Sequence, residues 1–364
     1  MAVASPTQDD RQQYYEELEG LQMGPLWAIL RSTLTREPQR REVPFLWPWS
    51  VVRPQLLRAG KLVTAAEAER RVLMFLNPGN PARIGATATL YAAMQLILPG
   101  ECARAHRHTP AALRFIVEGE GAFTCVNEEK VTMSPRDLVL TPPMVWHDHG
   151  NDGGQPVMWL DGLDIPLLLS LNGVFFEEYD GEAQPSSMPP ARSERLYGRG
   201  LFPGGSAAGP AQSYSPVWTY RWVDAREALD CLRRSSEPDP FDGFILRYVN
   251  PSSGGEVLAT IGCRLQLIPK GIHTRAHRHS TSCVYHVAEG SGFSVVNGVR
   301  LDWRHGDTFA VPIWCWHEHA ADAEDAVLFS FSDEPVIGAL GHRREQAYLG
   351  NGGFQAVESV FGAK

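Results

Sequence analysis

Hydrophobic and polar positions follow two different periods along this chain. From Asp9 to about Leu34, YYEELEGLQMGPLWAILRSTL carries apolar residues at helical spacing, with mostly acidic charges early, which predicts a helix. LRFIVEGEGAFTCV and VYHVAEGSGFSVV are short β-rich runs punctuated by glycine, and DLVLTPPMVWHDH and DTFAVPIWCWHEH follow suit, so strands are predicted there. From about Asp180 to Pro216 the chain is rich in Pro, Gly and Ser and reads as a linker, and DAREALDCLRRS beyond it predicts a second helix. Many short strands separated by Gly/Pro turns predict an all-β-dominated fold, a sandwich or small barrel, with a helical N-terminal segment and a helical or loop linker.

The strand runs come in two copies. AHRHTPAALRFIVEGEG, from Ala105, is matched by AHRHSTSCVYHVAEGSG, from Ala276. His106 and His277, His108 and His279, and Gly119 and Gly290 are each 171 residues apart. TPPMVWHDH then matches VPIWCWHEH at an offset of 170, as in Pro142 to Pro312 and His147 to His317. The one-residue loss is expected where VNEEKVTMSPRD faces VNGVRLDWRHGD across a hairpin turn. Two blocks in one order at nearly one offset indicate a duplicated domain. The organisation expected is an N-terminal helical segment over 1–60, a first domain over 61–180, a linker with a helix over 181–240 and a second domain over 241–364.

Composition narrows the class. A length of 364 residues suits about two domains, and 43% hydrophobic with 21% charged residues is the balance of a globular protein with ample core. A net charge of −9 argues against nucleic acid or an anionic membrane as partner. The start lacks the apolar core of a signal peptide, no apolar run is long enough to span a bilayer, and six cysteines without CxxC spacing read as reduced thiols. A cytoplasmic location is expected.

Histidine supplies the chemistry. On a strand, residues i and i+2 share a face, so His106 and His108 point together, and His147 on a later strand of the same repeat completes a three-imidazole cluster. Histidine is the commonest nitrogen ligand of divalent transition metals, and eleven of the twelve histidines fall inside the two repeats, His342 alone lying outside, which favours a metal site over a surface His-x-His. His277, His279 and His317 form the corresponding set in the second repeat.

These residues resemble the cupin motifs. Gly100, His106, His108 and Gly119 fit the first motif; Pro142, His147 and Asn151 fit the second, with Arg136 and Met144 in place of its usual glycines. Gly271, His277, His279, Gly290, Gly306, Pro312 and His317 repeat the pattern, with Ala321 where Asn is usual. The resemblance implies a bicupin, two tandem jelly-roll β-barrels. Ala112 and Cys283 stand where most cupins add a glutamate ligand, so each site would hold three neutral ligands and leave adjacent positions open. Redox-capable iron(II) suits such a site.

PLWAIL, VPFLWPW, FLNPG, YAAMQLILPGE, HRHTPAALRF, WHDHGN and WLDGLDIP, in that order, resemble the gentisate and salicylate 1,2-dioxygenases. The resemblance implies Fe(II), one per catalytic cupin domain, O2 as co-substrate, a small aromatic hydroxy acid as substrate and a homotetramer. The ring is opened between the carboxylate-bearing and hydroxyl-bearing carbons, gentisate giving maleylpyruvate.

Arg114, one of few charges in an apolar run, is placed to fork onto a substrate carboxylate, or else closes a structural ion pair. His149 shares a face with His147 and reaches the bound substrate or oxygen, or is a buried hydrogen-bonding histidine. Asp161 is expected to orient His149 or accept from a substrate hydroxyl, with a cap or turn role as the bland alternative. Gln95 and Tyr91 share one side of YAAMQ and match pocket positions of the family, or pack in the core; one of Arg70 and Arg71 adds a second positive charge, or both lie on a solvated helix face. Arg114, Asp161 and Asn151 face Tyr285, Ser330 and Ala321 in the second repeat, so ring cleavage is expected in the first repeat only. Tyr91 within LYAAMQLILPG resembles the gentisate members more; salicylate, a substituted salicylate or 1-hydroxy-2-naphthoate are the alternative substrates. A non-catalytic metal-binding bicupin and a zinc-dependent cupin enzyme remain as other classes.

Overall fold

The structure, a computed structural model, describes residues 7–68, 70–80, 84–181, 183–200, 202–204 and 212–362. The chain divides into a small unit ending at Arg40 and a large one, Arg41–Lys364. In the small unit, helix Gln8–Gly20 opens on a capping box in which Thr7 and Asp10 exchange side-chain-to-backbone bonds. The single helix expected over Asp9–Leu34 is in fact two, because Gly24 and Pro25 intervene before Leu26–Thr33; proline has no N–H to donate and biases its predecessor away from helical geometry.

Each repeat in the large unit is a pair of sheets. In the first, a six-stranded sheet runs Thr219–Tyr220, Leu138–Thr141, Ala112–Glu118, Val157–Leu163, Tyr91–Ile97, Arg71–Met74. A five-stranded sheet runs Phe176–Glu178, Cys102–His108, His147–Asn151, Ala122–Val126, Glu129–Thr132. The second repeat has the same scheme, with Cys283–Glu289 and His277–His279 in the places of Ala112–Glu118 and Cys102–His108. Nearly all pairings are antiparallel, as a jelly roll requires; Val299–Arg304 with Ser359–Val360 is parallel.

Alternation explains the apolar runs. Along Ala112–Glu118, Leu113 and Phe115 belong to a core shared with the second repeat, where Phe115 stacks on Phe329 at 4.2 Å, while Ile116 packs inside its own repeat with Val139 and Trp159. Both faces of the strand are buried, so it reads as continuously hydrophobic. Arg114 is on the inward face with Ile116.

The expected hairpin is present: Asn127 and Glu128 both take positive φ (48° and 66°), as do Asn297 and Gly298 (48° and 76°). The one-residue loss does not fall there, however. Ala122 pairs Asn151 while Gly292 pairs Ala321, so the offset is already 170 before the hairpin, and the loss lies in the turn after Gly119. That turn contains two glycines at positive φ, Gly119 and Gly121, against Gly290 alone in the second copy, and a tight glycine turn loses a residue more easily than a paired strand.

The repeats also exchange strands. Phe45–Trp47, which precedes the first repeat, pairs with Thr308–Val311 of the second, and Thr219–Tyr220, which precedes the second, pairs with Leu138–Thr141 of the first. Each exchanged strand leads into a helix, Trp49–Leu62 or Trp222–Ser235, whose first backbone N–H donates to an equivalent aspartate, Asp307 (2.7 Å) or Asp137 (2.8 Å). The helix near DAREALDCLRRS is therefore the partner of one inside the segment expected over 1–60. The expected linker carries the short helix Arg192–Tyr197, and Ser193 bonds Glu129; residues 182, 201 and 205–211 of that linker lie outside the described residues.

Two reciprocal clamps complete the exchange. Asp164 accepts from Ala111 N (2.8 Å) and from Thr260 Oγ1 of the other repeat (2.5 Å); Asp333 accepts from Ser282 N (2.8 Å) and from Thr89 Oγ1 (2.6 Å). Thr260→Val removes a donor from a buried carboxylate and is expected to lower stability by about 1.5–3 kcal/mol, read as a lower urea midpoint at unchanged slope. An unchanged midpoint would mean that the clamp contributes nothing. Among the described residues no helix is long and apolar enough to cross a membrane.

Candidate metal centre

Strands Cys102–His108 and His147–Asn151 are neighbours, and His106 is the direct cross-strand partner of His147. The ligand atoms of His106, His108 and His147 lie within 4.8 Å of one another. Each Nδ1 is beside a backbone carbonyl: His106 at Arg104 O (2.9 Å), His108 at Pro110 O (2.8 Å), His147 at Val145 O (2.9 Å). A carbonyl accepts only, so each Nδ1 carries the proton and each Nε2 presents its lone pair. Burial holds the imidazoles neutral, lowering His106 to about 3 and His108 to about 4, and His147 well below its ordinary value. His147 Nε2 is buried without a hydrogen-bond partner. An orphaned buried acceptor in a convergent trio is what a divalent metal satisfies, and the residues fit such an ion.

Next to the trio, Arg114 Nη2 donates to His149 Nε2 (2.8 Å) and Nη1 to Thr141 Oγ1 (3.0 Å). Arginine cannot accept, so His149 keeps its proton on Nδ1 and donates to Thr124 Oγ1 (3.0 Å), which in turn donates to Met133 Sδ (3.4 Å). The Arg114 Nε lies 3.5 Å from Asp161 Oδ1, an ion-pair distance, and Asp161 Oδ1 accepts from Trp159 Nε1 at 2.9 Å. Asp161 therefore does not orient His149 as one branch of the expectation had it; Arg114 and Thr124 do, since Arg114 and Asp161 are cross-strand partners and meet first. Burial raises Asp161 to about 6 against the opposing pull of Arg114, and lowers Arg114 to about 10.

The remaining residues divide cleanly. Arg71 turns away, bonding Val63 O and forming an ion pair with Glu101. Arg70 is the arginine whose charge is felt by His106, His108, Tyr91 and Asp161. Its guanidinium lies 5.8 Å from the ring of Phe176, which stacks on His106 at 5.4 Å. Phe176, Thr124 and Thr141 escape sequence reading; a duplicated strand facing the His pair was the one available signal for the first. Tyr91 is half-buried, with burial and Asp161 raising its phenol so that it stays protonated; Gln95 is buried opposite Trp159 and lines a narrow cleft with Arg70. His149 sits 5.6 Å, ring to ring, from His147.

Among known proteins, the family model of the cupin domain matches residues 93–163 and 264–332. A gentisate 1,2 dioxygenase of Aquipseudomonas alcaligenes is 40% identical over 92% of this chain and 96% of its own. A 5-aminosalicylate 1,2-dioxygenase of Comamonas sp. is 39% identical over 97% and 95%. The crystal structure of salicylate 1,2-dioxygenase from Pseudoaminobacter salicylatoxidans, an adduct with gentisate, superposes with a TM-score of 0.88 at 34% identity, covering 94% of this chain and 96% of that one.

Proposed function

Because the chain belongs to the family of gentisate 1,2-dioxygenases and related ring-cleaving bicupin dioxygenases, we propose that it opens gentisate with O2, using iron(II) held by His106, His108 and His147. The carrying observation is the pairing of three neutral imidazoles with a buried arginine whose fork is only half engaged. Iron(II), when bound, supplies a chelation point for substrate and the electrons that make O2 reactive. The bond between C1 and C2 breaks; one oxygen atom becomes the keto oxygen on C1 and the other joins the carboxylate formed at C2, giving maleylpyruvate.

The protein's own residues bind and orient. Each Arg114 terminal nitrogen keeps a second N–H beyond its bond to His149 or Thr141, a matched pair for the substrate carboxylate. Arg70 adds a second positive charge, Phe176 an aromatic wall beside His106, and Tyr91 and Gln95 polar tips along the same strand. His149, neutral and fixed in one tautomer, holds the arginine in place. Asp161 is the proton acceptor for the substrate hydroxyl. The same reading takes the protein as a cytoplasmic homotetramer, without a nucleic-acid or membrane partner.

A salicylate with another substituent at position 5 is the second reading, since the 5-aminosalicylate enzyme is as similar as the gentisate enzyme. An oxygen electrode decides between them: with iron(II) supplied, gentisate is expected to be consumed fastest among ring-hydroxylated benzoates, one O2 per ring. No oxygen uptake with any of them would overturn the proposal.

Asp161 also sets a pH limb. Its folded value of about 6 lies above the ordinary 3.8, so it takes up a proton as pH falls through 6 and ceases to accept. We expect kcat/KM to fall below pH 6 and this limb to vanish in Asp161→Asn. Unfolding through this group is not the cause: a raised carboxyl binds its proton more tightly in the folded chain, which favours folding as pH drops from 6 towards 3.8. A limb unchanged in Asp161→Asn would assign it to another group.

A further inference from the structure

The second repeat keeps the imidazoles but reverses the charge around them. His277, His279 and His317 bring their ligand atoms within 4.8 Å of one another, and His317 Nε2 is buried without a partner. The Nδ1 of His279 lies 3.1 Å from Thr281 O and 2.6 Å from Thr281 Oγ1, and that of His317 lies 3.1 Å from Cys315 O, whereas the Nδ1 of His277, unlike that of His106, is buried without a partner. His319, the counterpart of His149, also has its Nε2 buried without a partner, because Tyr285 stands where Arg114 would reach it. The other two imidazoles of the trio, His277 and His279, line a cavity of about 320 Å³.

Strand register identifies what walls that cavity. Phe176 pairs His108 across the first sheet, and Glu345 pairs His279 at the same place in the second, so an aromatic ring is replaced by a carboxylate. Arg71 pairs Leu96 and Phe244 pairs Leu267, which aligns Arg70 with Gly243 and leaves Asp242 beside it, lining the cavity. Asp161 becomes Ser330. The arginines at the cavity are occupied: Arg264 pairs with Glu256 and Glu334, Arg343 with Glu334, and Arg247 with Glu256. Asp242 and Glu345 form no ion pair among the described residues. The first site thus sets two arginines, Arg114 and Arg70, against one carboxyl group, Asp161, and the second sets three arginines against four carboxyl groups, Glu256, Glu334, Asp242 and Glu345.

We propose that the second cupin is a separate divalent-metal site, held by His277, His279 and His317, whose cavity admits water and neutral or cationic ligands and rejects the aromatic carboxylate that the first site takes. The metal half stands without the ring-cleavage reading; the selectivity half uses gentisate as a probe and rests on that reading only for the first site.

The test is anaerobic loading with cobalt(II) and measurement of metal per chain and of the visible cobalt bands. Two cobalt ions per chain are expected in the wild type, and one in either His147→Ala or His317→Ala. Gentisate should perturb the bands of the His317→Ala protein at concentrations that leave those of His147→Ala unchanged, the second site needing at least about tenfold more to respond. Adding Asp242→Asn and Glu345→Gln to His147→Ala should restore a response. One cobalt per chain in the wild type, equal gentisate responses at the two sites, or no response after Asp242→Asn and Glu345→Gln are added overturns the proposal. Should the histidine variants not fold, the wild type suffices: gentisate that saturates the first site must change the bands of one cobalt of the two. Failure of the ring-cleavage reading would show as absent oxygen uptake with both metal counts intact.

Discussion

His147→Ala is expected to leave a folded protein that holds no metal in its first repeat and consumes no oxygen with gentisate. The Nε2 of His147 is a buried acceptor without a protein partner, so its role in the fold is a cost that a bound ion removes. Loss of a group that merely orients a metal-binding histidine costs about 10–100-fold in affinity or activity, and loss of a ligand from a set of three costs more. Activity should therefore fall by more than about a hundredfold, and His106→Ala and His108→Ala should match it. First-repeat metal content and oxygen uptake, measured beside a melting curve, check the result. Near wild-type turnover in any of the three, with iron supplied, would sink the metal assignment; a fall in melting temperature with metal retained would make the trio a packing feature.

The second large effect is at Arg114. A charge-assisted bond to the substrate carboxylate is worth about 1.5–3 kcal/mol, so Arg114→Ala should lower kcat/KM on gentisate about ten- to a hundredfold, and further if orientation for oxygen attack is lost. Arg114→Lys keeps the charge without the planar fork and should recover part of it. A ring phenol without a carboxylate should be a poor substrate of the wild type and lose little more in Arg114→Ala. Equal fold losses on both substrate classes would make Arg114 structural and place the carboxylate grip elsewhere. The arginine also balances Asp161 and holds His149, and breaking a buried pair costs about 3–5 kcal/mol of stability, so rates must be normalised to the folded fraction.

The sequence made the centre legible because strand periodicity alone aims His106 and His108 at one point, and the repeat supplies the third imidazole. Arg114 stood out as a charge in an apolar run, and its inward face follows from alternation. Its partners were not readable, since Thr141 and His149 come from strands whose register only tertiary pairing sets. Arg70 and Arg71 are adjacent, so periodicity could only say that they face opposite ways, and the pair of buried Arg71 with Glu101 decided which one turned away from the histidines. The strand exchange was hidden for a similar reason: Phe45–Trp47 and Thr219–Tyr220 are too short to show a period, and nothing local says which sheet edge they will close.

That exchange binds the fates of the two copies. A chain severed after residue 200 would leave Leu138–Thr141 as a bare apolar edge on one half and Thr308–Val311 on the other, each an invitation to aggregate. Neither half would be soluble on its own, and mixing them should rebuild what neither makes alone. Heating the intact protein should melt both copies in one transition. The second copy is thus indispensable to inheritance of the first, and a lineage that lost its chemistry there would still have to keep its strands.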